Sequence, residues 1–185
     1  EAVVDRPFRV AVAAFWQVHR AAAATLDRAV RDALGELSSD AWHLDLYSGV
    51  GLFAAALGDL AGRARITTVE SDPRATQHAE QNLADHGAEA VTARVDRFLS
   101  RLSSQASLFD REMLTRGVTL LDPPRSGAGR EIVEAVADLG SSRVAYVACD
   151  PVALARDVGY FRGGGYEVRS GRAFDLFPTS HHVEA

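Results

Sequence analysis

Residues 43–53 read His43-Leu44-Asp45-Leu46-Tyr47-Ser48-Gly49-Val50-Gly51-Leu52-Phe53. The apolar run from Trp42 to Leu46 has the length and composition of a buried strand. Gly49 and Gly51 follow it at once, and a helical pattern then continues to about Leu60. Two glycines placed after a strand let the backbone approach a ligand, and the helix beyond them offers free N–H groups.

Outward from this unit the same alternation repeats. Strands are expected at 65–70, 89–95, 118–121, 143–148 and 166–174. Helices are expected from Asp72-Pro73 to about Asp85, at 129–139 and at 151–161, with 97–114 less periodic, part helix and part loop. Before residue 42 the spacing of Phe8, Val12, Phe15, Val18, Ala22, Leu26, Val30 and Leu34 predicts a helical N-terminal segment over 1–40. Alternating strands and helices predict an α/β fold, Rossmann-like, with a mostly parallel twisted sheet and helices on both faces. The 185 residues fit a single domain, 1–185, with one core.

Composition narrows the classes. No apolar run approaches the roughly 20 residues that span a bilayer, so no membrane partner is expected. No secretory leader is visible, and a single cysteine fits a reducing, cytoplasmic setting and leaves no thiolate set for zinc or iron–sulfur, so no metal is expected. All 20 basic residues are arginine, without a run, and the net charge is -5. That balance argues against a strongly basic nucleic-acid surface within these residues.

Ligands of such sheets bind outside the carboxyl ends of the strands. The polar residues expected there are Asp45, Tyr47, Glu70, Asp96, Asp122 and Cys149. Glu70 ends the second strand about 20 residues past the glycines, where a carboxylate accepts ribose hydroxyls. Because Gly49–Ala54 also fits G-x-G-x-x-A, a nicotinamide oxidoreductase shares this much. Asp45 before the turn, suited to a cationic amino group, and Asp96, suited to an adenine amino group, lean toward a methionine-type cofactor. Each acid alone also reads as a helix cap. Asp122-Pro123-Pro124-Arg125 makes a stiff loop at the site mouth, suited to holding a flat base, or else a plain turn. Cys149 alone reads as a small core residue, but its place before Pro151 at a helix start favours a depressed thiol pKa. Glu184 alone reads as a surface acid.

Taken together these segments resemble the RNA 5-methyluridine (uracil-C5) methyltransferases that act on tRNA and rRNA. The resemblance rests on Phe15-Trp16-Gln17-Val18-His19, the segment 45–53, Val69-Glu70, Asp122-Pro123-Pro124-Arg125, Tyr146–Pro151 with Leu154-Ala155-Arg156-Asp157, and Asp175-Leu176-Phe177-Pro178 with His182-Val183-Glu184. It implies a class I methyltransferase fold, S-adenosyl-L-methionine as cofactor and RNA as partner. It further implies cofactor binding by Gln17, Tyr47, Glu70 and Asp122, and by Leu52 and Asp96; Asp45, Gly49 and Gly51 join them from the reading of the turn itself. Cys149 falls on the nucleophile and Glu184 on the general base; Pro123, Pro124 and Arg125 are the substrate-binding residues expected from the stiffness of their loop. The chain departs from the family at His19, usually Asn, Ser48, usually Cys, and Ala148, usually Ser. The N-terminal RNA-binding domains that the family carries are absent from these residues, which are expected to be a piece of a longer protein. Two alternatives remain: the nicotinamide-dependent oxidoreductase, and a methyltransferase acting on a nucleobase amino group or a protein, for which an aromatic residue rather than Arg125 is expected after the double proline.

Overall fold

A computed structural model describes residues 2–3, 6–10, 16, 19, 21–176 and 183–185. Two short strands, β1 (Ala2–Val3) and β2 (Arg6–Pro7), pair antiparallel at the start. Then come α1 (Ala22–Leu34), β3 (Trp42–Leu46), α2 (Leu52–Ala61), β4 (Arg65–Glu70), α3 (Pro73–Asn82), β5 (Glu89–Thr92), α4 (Val95–Gln105), α5 (Leu108–Arg116), β6 (Val118–Leu121), α6 (Arg130–Leu139), β7 (Arg143–Tyr146) and α7 (Pro151–Gly163). Strands β3 to β7 form one parallel sheet in the order β5-β4-β3-β6-β7.

The central strands β3 and β6 are buried on both faces, because helices cover each side of the sheet. Leu44, Leu46, Val69 and Leu121 pack against α4, α6 and α7. Ile66, Val118 and Leu120 pack on the other side against α1, α2 and α3. Asp45 alternates with Leu44 and Leu46, so it points toward α2. The helix starts are written locally. Asp72 caps α3 by accepting from the Arg74 N–H at 2.8 Å, with Pro73 at the first position. Asp150 caps α7 the same way, accepting from Ala153 N–H at 2.7 Å before Pro151. Ser107 and Asp110 form a reciprocal capping box at α5.

Three sequence expectations change. Helix α1 begins only at Ala22, and Phe8 and Trp16, whose rings lie 5.9 Å apart, pack from outside it. Phe15, Val12 and Val18, on which the spacing also rested, lie outside the described residues. Residues 97–114 belong to two helices broken at Ala106-Ser107, where the capping box restarts the chain. Residues 166–173 do not add a sixth strand to the sheet. The place beside Ala148 is taken instead by Ala185, through backbone hydrogen bonds in both directions at 2.7 and 2.8 Å.

Among the described residues no helix is long and apolar enough to cross a membrane. Nor do those residues include a group of three or more His, Cys, Asp or Glu side chains placed to hold a metal ion.

Candidate active site

The sheet order places β3 between β4 and β6, so successive connections leave β3 in opposite directions. The crevice outside the carboxyl ends of β3 and β6 is where such sheets bind ligands. Asp45 and Tyr47 lie at the end of β3, Asp122 at that of β6, Glu70 at that of the neighbouring β4, and Cys149 just past β7.

The glycine turn is built tightly. Gly49 and Gly51 have φ of +53° and +90°, and Tyr47 is held at +64°. A Cβ on Gly51 would stand 2.8 Å from a Leu83 methyl. Glu70 accepts from Gly49 N–H at 3.1 Å through one oxygen, and from Ser71 and Asp72 N–H at 2.6 and 2.9 Å through the other. It therefore locks the turn to the end of β4 while keeping acceptor capacity. Asn82, which no sequence pattern singled out, donates to Val50 C=O at 3.0 Å and to Arg9 C=O at 3.1 Å, and accepts from Arg9 N–H at 2.8 Å. It is the last residue of α3, with no local motif to mark it.

Asp45 is 0% exposed, and neither of its carboxylate oxygens has a hydrogen-bond partner of normal geometry. Burial and the Asp122 carboxylate push its pKa well above the carboxylate range, against a pull from the Ala54 N–H, and Glu70 adds to the rise. Asp122 itself is pushed up to about 7 by burial and by Glu184. A buried carboxylate left unpaired, with two more acids nearby, is unfavourable alone and is relieved by a cation. The arrangement fits a ligand that carries positive charge.

Asp96, in the first turn of α4, is engaged by Arg94 through two contacts of 3.1 Å, and that pairing holds its pKa low. Burial first, and the charge of Asp96 next, push the Tyr47 hydroxyl up to about 12. Leu52 opens α2 and is buried in the core. Gln17 lies outside the described residues.

On the other side of the crevice, Pro123, Pro124, Arg125, Tyr146, Cys149 and Asp150 line a small depression. Cys149 is half-buried. Glu184 is 5% exposed, because its backbone is bonded in both directions to Phe174, at 2.7 and 3.1 Å, while Ala185 is bonded to Ala148. These two bridges bring Glu184 beside Cys149 across 35 residues of chain, so it is not a solvated surface acid. The expected depression of the thiol pKa by the start of α7 is overturned. Burial pushes the Cys149 thiol up, the Glu184 carboxylate adds to this, Arg125 opposes it and Asp122 reinforces it. Burial likewise raises Glu184, against Arg125.

This fold, with an acid-lined glycine turn at the sheet switch point, is that of the class I S-adenosylmethionine-dependent methyltransferases. A solved tRNA (uracil-54, C5)-methyltransferase from Pyrococcus abyssi, in complex with S-adenosyl-L-homocysteine, superposes with a TM-score of 0.76 at 26% identity, over 100% of this chain and 42% of that one. Fibrillarin from Aeropyrum pernix shares the fold with a TM-score of 0.62 at 18% identity, over 86% of this chain and 72% of that one. The family of tRNA (uracil-5-)-methyltransferases matches residues 5–185, and the chain belongs to it. Uncharacterized RNA methyltransferases of Streptomyces avermitilis and Bifidobacterium longum are 47% and 40% identical to it, covering 97% and 96% of this chain. The chain spans 40% and 41% of the length of those two relatives.

Proposed function

We propose that this chain is the catalytic part of an enzyme that methylates carbon 5 of a uridine in tRNA or rRNA, with Cys149 as covalent nucleophile. The observation that carries the reading is the double backbone bridge that sets buried Glu184 beside Cys149. It supplies a nucleophile and a base of raised pKa at one mouth, beside the loop of Pro123, Pro124 and Arg125.

The orphaned carboxylate of Asp45 fits the amino group of S-adenosylmethionine, with Asp122 adding negative charge beside it. Glu70 would take the ribose hydroxyls, and Asp96 would exchange Arg94 for the adenine amino group. Tyr47, Gly49, Gly51 and Leu52 shape the turn against which the cofactor lies, and Gln17 is assigned to the same site. When bound, S-adenosylmethionine supplies a methyl group made electrophilic by its sulfonium.

Carbon 5 of uracil is a poor nucleophile, so the chain must activate it. The Cys149 thiolate adds to carbon 6, the carbon 5–carbon 6 double bond opens and carbon 5 becomes enolate-like. Once carbon 5 carries the methyl group, Glu184 takes its proton. The double bond then re-forms and the carbon–sulfur bond breaks, which frees the thiolate. General base catalysis of this kind contributes roughly 10²–10⁴ in rate. Pro123, Pro124 and Arg125 hold the flat base, which reaches the crevice only when unstacked, so the RNA partner presents a loop or flipped nucleotide. A cytoplasmic setting goes with this substrate.

The test uses RNA carrying 5-fluorouridine, in which carbon 5 has no proton to give up. The full-length protein with S-adenosylmethionine is expected to form an adduct that survives denaturation, and Cys149→Ala to form none. An adduct with the alanine variant, or none with the wild type, overturns the covalent route.

A further inference from the structure

We propose that Asp157 is a positioning residue for this site, its buried carboxylate clamping the loop that carries Arg125 against the turn that carries Cys149. The proposal rests on the reading of Cys149 as nucleophile for its adduct readout, and on the geometry of the clamp and the charges around the thiol for its alkylation readout.

Asp157 lies in the second turn of α7 and is 0% exposed. One carboxylate oxygen accepts from the Tyr146 hydroxyl at 2.6 Å, from Ala128 N–H at 2.8 Å and from Gly129 N–H at 3.2 Å. The other accepts from Arg156 Nε and Nη2 at 2.9 and 2.8 Å, and the same Nη2 donates to Ser126 C=O at 2.8 Å. The Tyr146 hydroxyl also accepts from Ala128 N–H at 3.0 Å. Three pieces of the molecule thus meet on one carboxylate: the end of β7, the start of α7 and the loop that follows β6.

Helix α7 needs none of this for itself. Its start is already capped by Asp150 and stiffened by Pro151. Burying a carboxylate is costly unless hydrogen bonds and charge repay it. Here the donors from Tyr146, Arg156 and the loop N–H groups outweigh burial and hold Asp157 below the ordinary carboxylate range. The loop has reason to need an external anchor. Two successive prolines remove two N–H donors from it, so it has few bonds with which to fix itself. Its turn is closed by Gly127 N–H to Pro124 C=O at 2.7 Å, and Gly127 sits at φ +76° directly under the clamp. A Cβ there would stand 2.6 Å from both Arg156 Nη2 and Asp157 Oδ2.

What the clamp positions is charge. Glu184 and Asp122 bear on Cys149 with negative charge from the C-terminal bridge and the end of β6, and Arg125 is the positive group that opposes them. Arg125 makes this contribution only while the loop is held in place. Loosening the clamp therefore leaves Cys149 facing two acids without their counter-charge.

The experiment uses the full-length protein with Asp157→Asn and, separately, Gly127→Ala, which attacks the clamp from the loop side and keeps every residue of α7. Alkylation of Cys149 by iodoacetamide is followed against pH through the mass of its peptide. Both variants are expected to bind S-adenosylhomocysteine as the wild type does, while the alkylation midpoint moves to higher pH. Formation of the 5-fluorouridine adduct is expected to slow by about 10²-fold, the cost of displacing a reacting group by roughly 1 Å. An alkylation profile that coincides with wild type, in a variant that still binds the cofactor product, overturns the proposal. If the wild type forms no adduct, the uridine reading fails while the alkylation profile still decides the clamp.

Discussion

Tyr47 holds the left-handed backbone conformation that normally falls to glycine, two residues before a turn with two glycines in the same region. Such a residue costs of order 1–3 kcal/mol and persists where its surroundings fix it. Gly51 is the sharper test of how finely the turn is built. Gly51→Ala meets both an unfavourable φ and a Leu83 methyl at 2.8 Å. It is expected to lower unfolding stability by about 1–3 kcal/mol in urea titrations and to weaken S-adenosylmethionine binding. Asp122 sets a pH dependence. Its folded pKa of about 7 lies above the unfolded carboxylate value, so the folded state binds the proton more tightly. Its contribution is present in full below the unfolded value near ~4 and is lost as pH rises toward 7. A cation beside it acts oppositely, because it favours the charged carboxylate. S-adenosylmethionine affinity is therefore expected to rise with pH over that window, with protons released on binding. Calorimetry in buffers of different ionisation enthalpy measures this, and proton uptake would contradict it. At Glu184 the expectation concerns the natural base. Glu184→Gln is expected to accumulate a covalent complex with ordinary uridine RNA, because the adduct loses the group that takes its proton, and denaturing gels detect it.

At the scale of elements, the glycine turn depends on a helix that does not touch its sequence. Asn82 at the end of α3 ties Val50 to Arg9 by three hydrogen bonds from one buried amide. Asn82→Ala strands those backbone groups and is expected to cost about 2–3 kcal/mol in chemical denaturation. The capping residues were readable in advance. Asp72-Pro73 and Asp150-Pro151 place a side-chain acceptor and a proline where a helix start wants both, and the helices begin there. Strand ends were less readable: the expected strand over 89–95 closes at Thr92, because its partner β4 ends opposite at Glu70 and α4 already begins at Val95.

The whole molecule carries 20 arginines against 25 acids, and its candidate site is lined largely by acids. Phosphate contacts by basic groups dominate nucleic-acid affinity. The full-length protein is therefore expected to bind RNA on the order of tenfold or more tightly than residues 1–185 alone, and filter binding at matched salt would measure it. The sequence by itself determined the parallel α/β layering, because strand-length apolar runs and capped amphipathic helices are local patterns that need no partner to be read. It also carried the glycine turn and the acids at the strand ends, since spacing along a strand fixes which end a residue occupies. Only the tertiary structure decided what depends on residues distant in the chain meeting. It made Glu184 a buried neighbour of Cys149 through the Ala148–Ala185 bridge, reversed the expected direction of the thiol pKa by adding burial and a carboxylate, and gave Asp157 its five donors. The Coulomb and desolvation effects that set those properties act through space over a few ångströms, and chain spacing does not encode such distances.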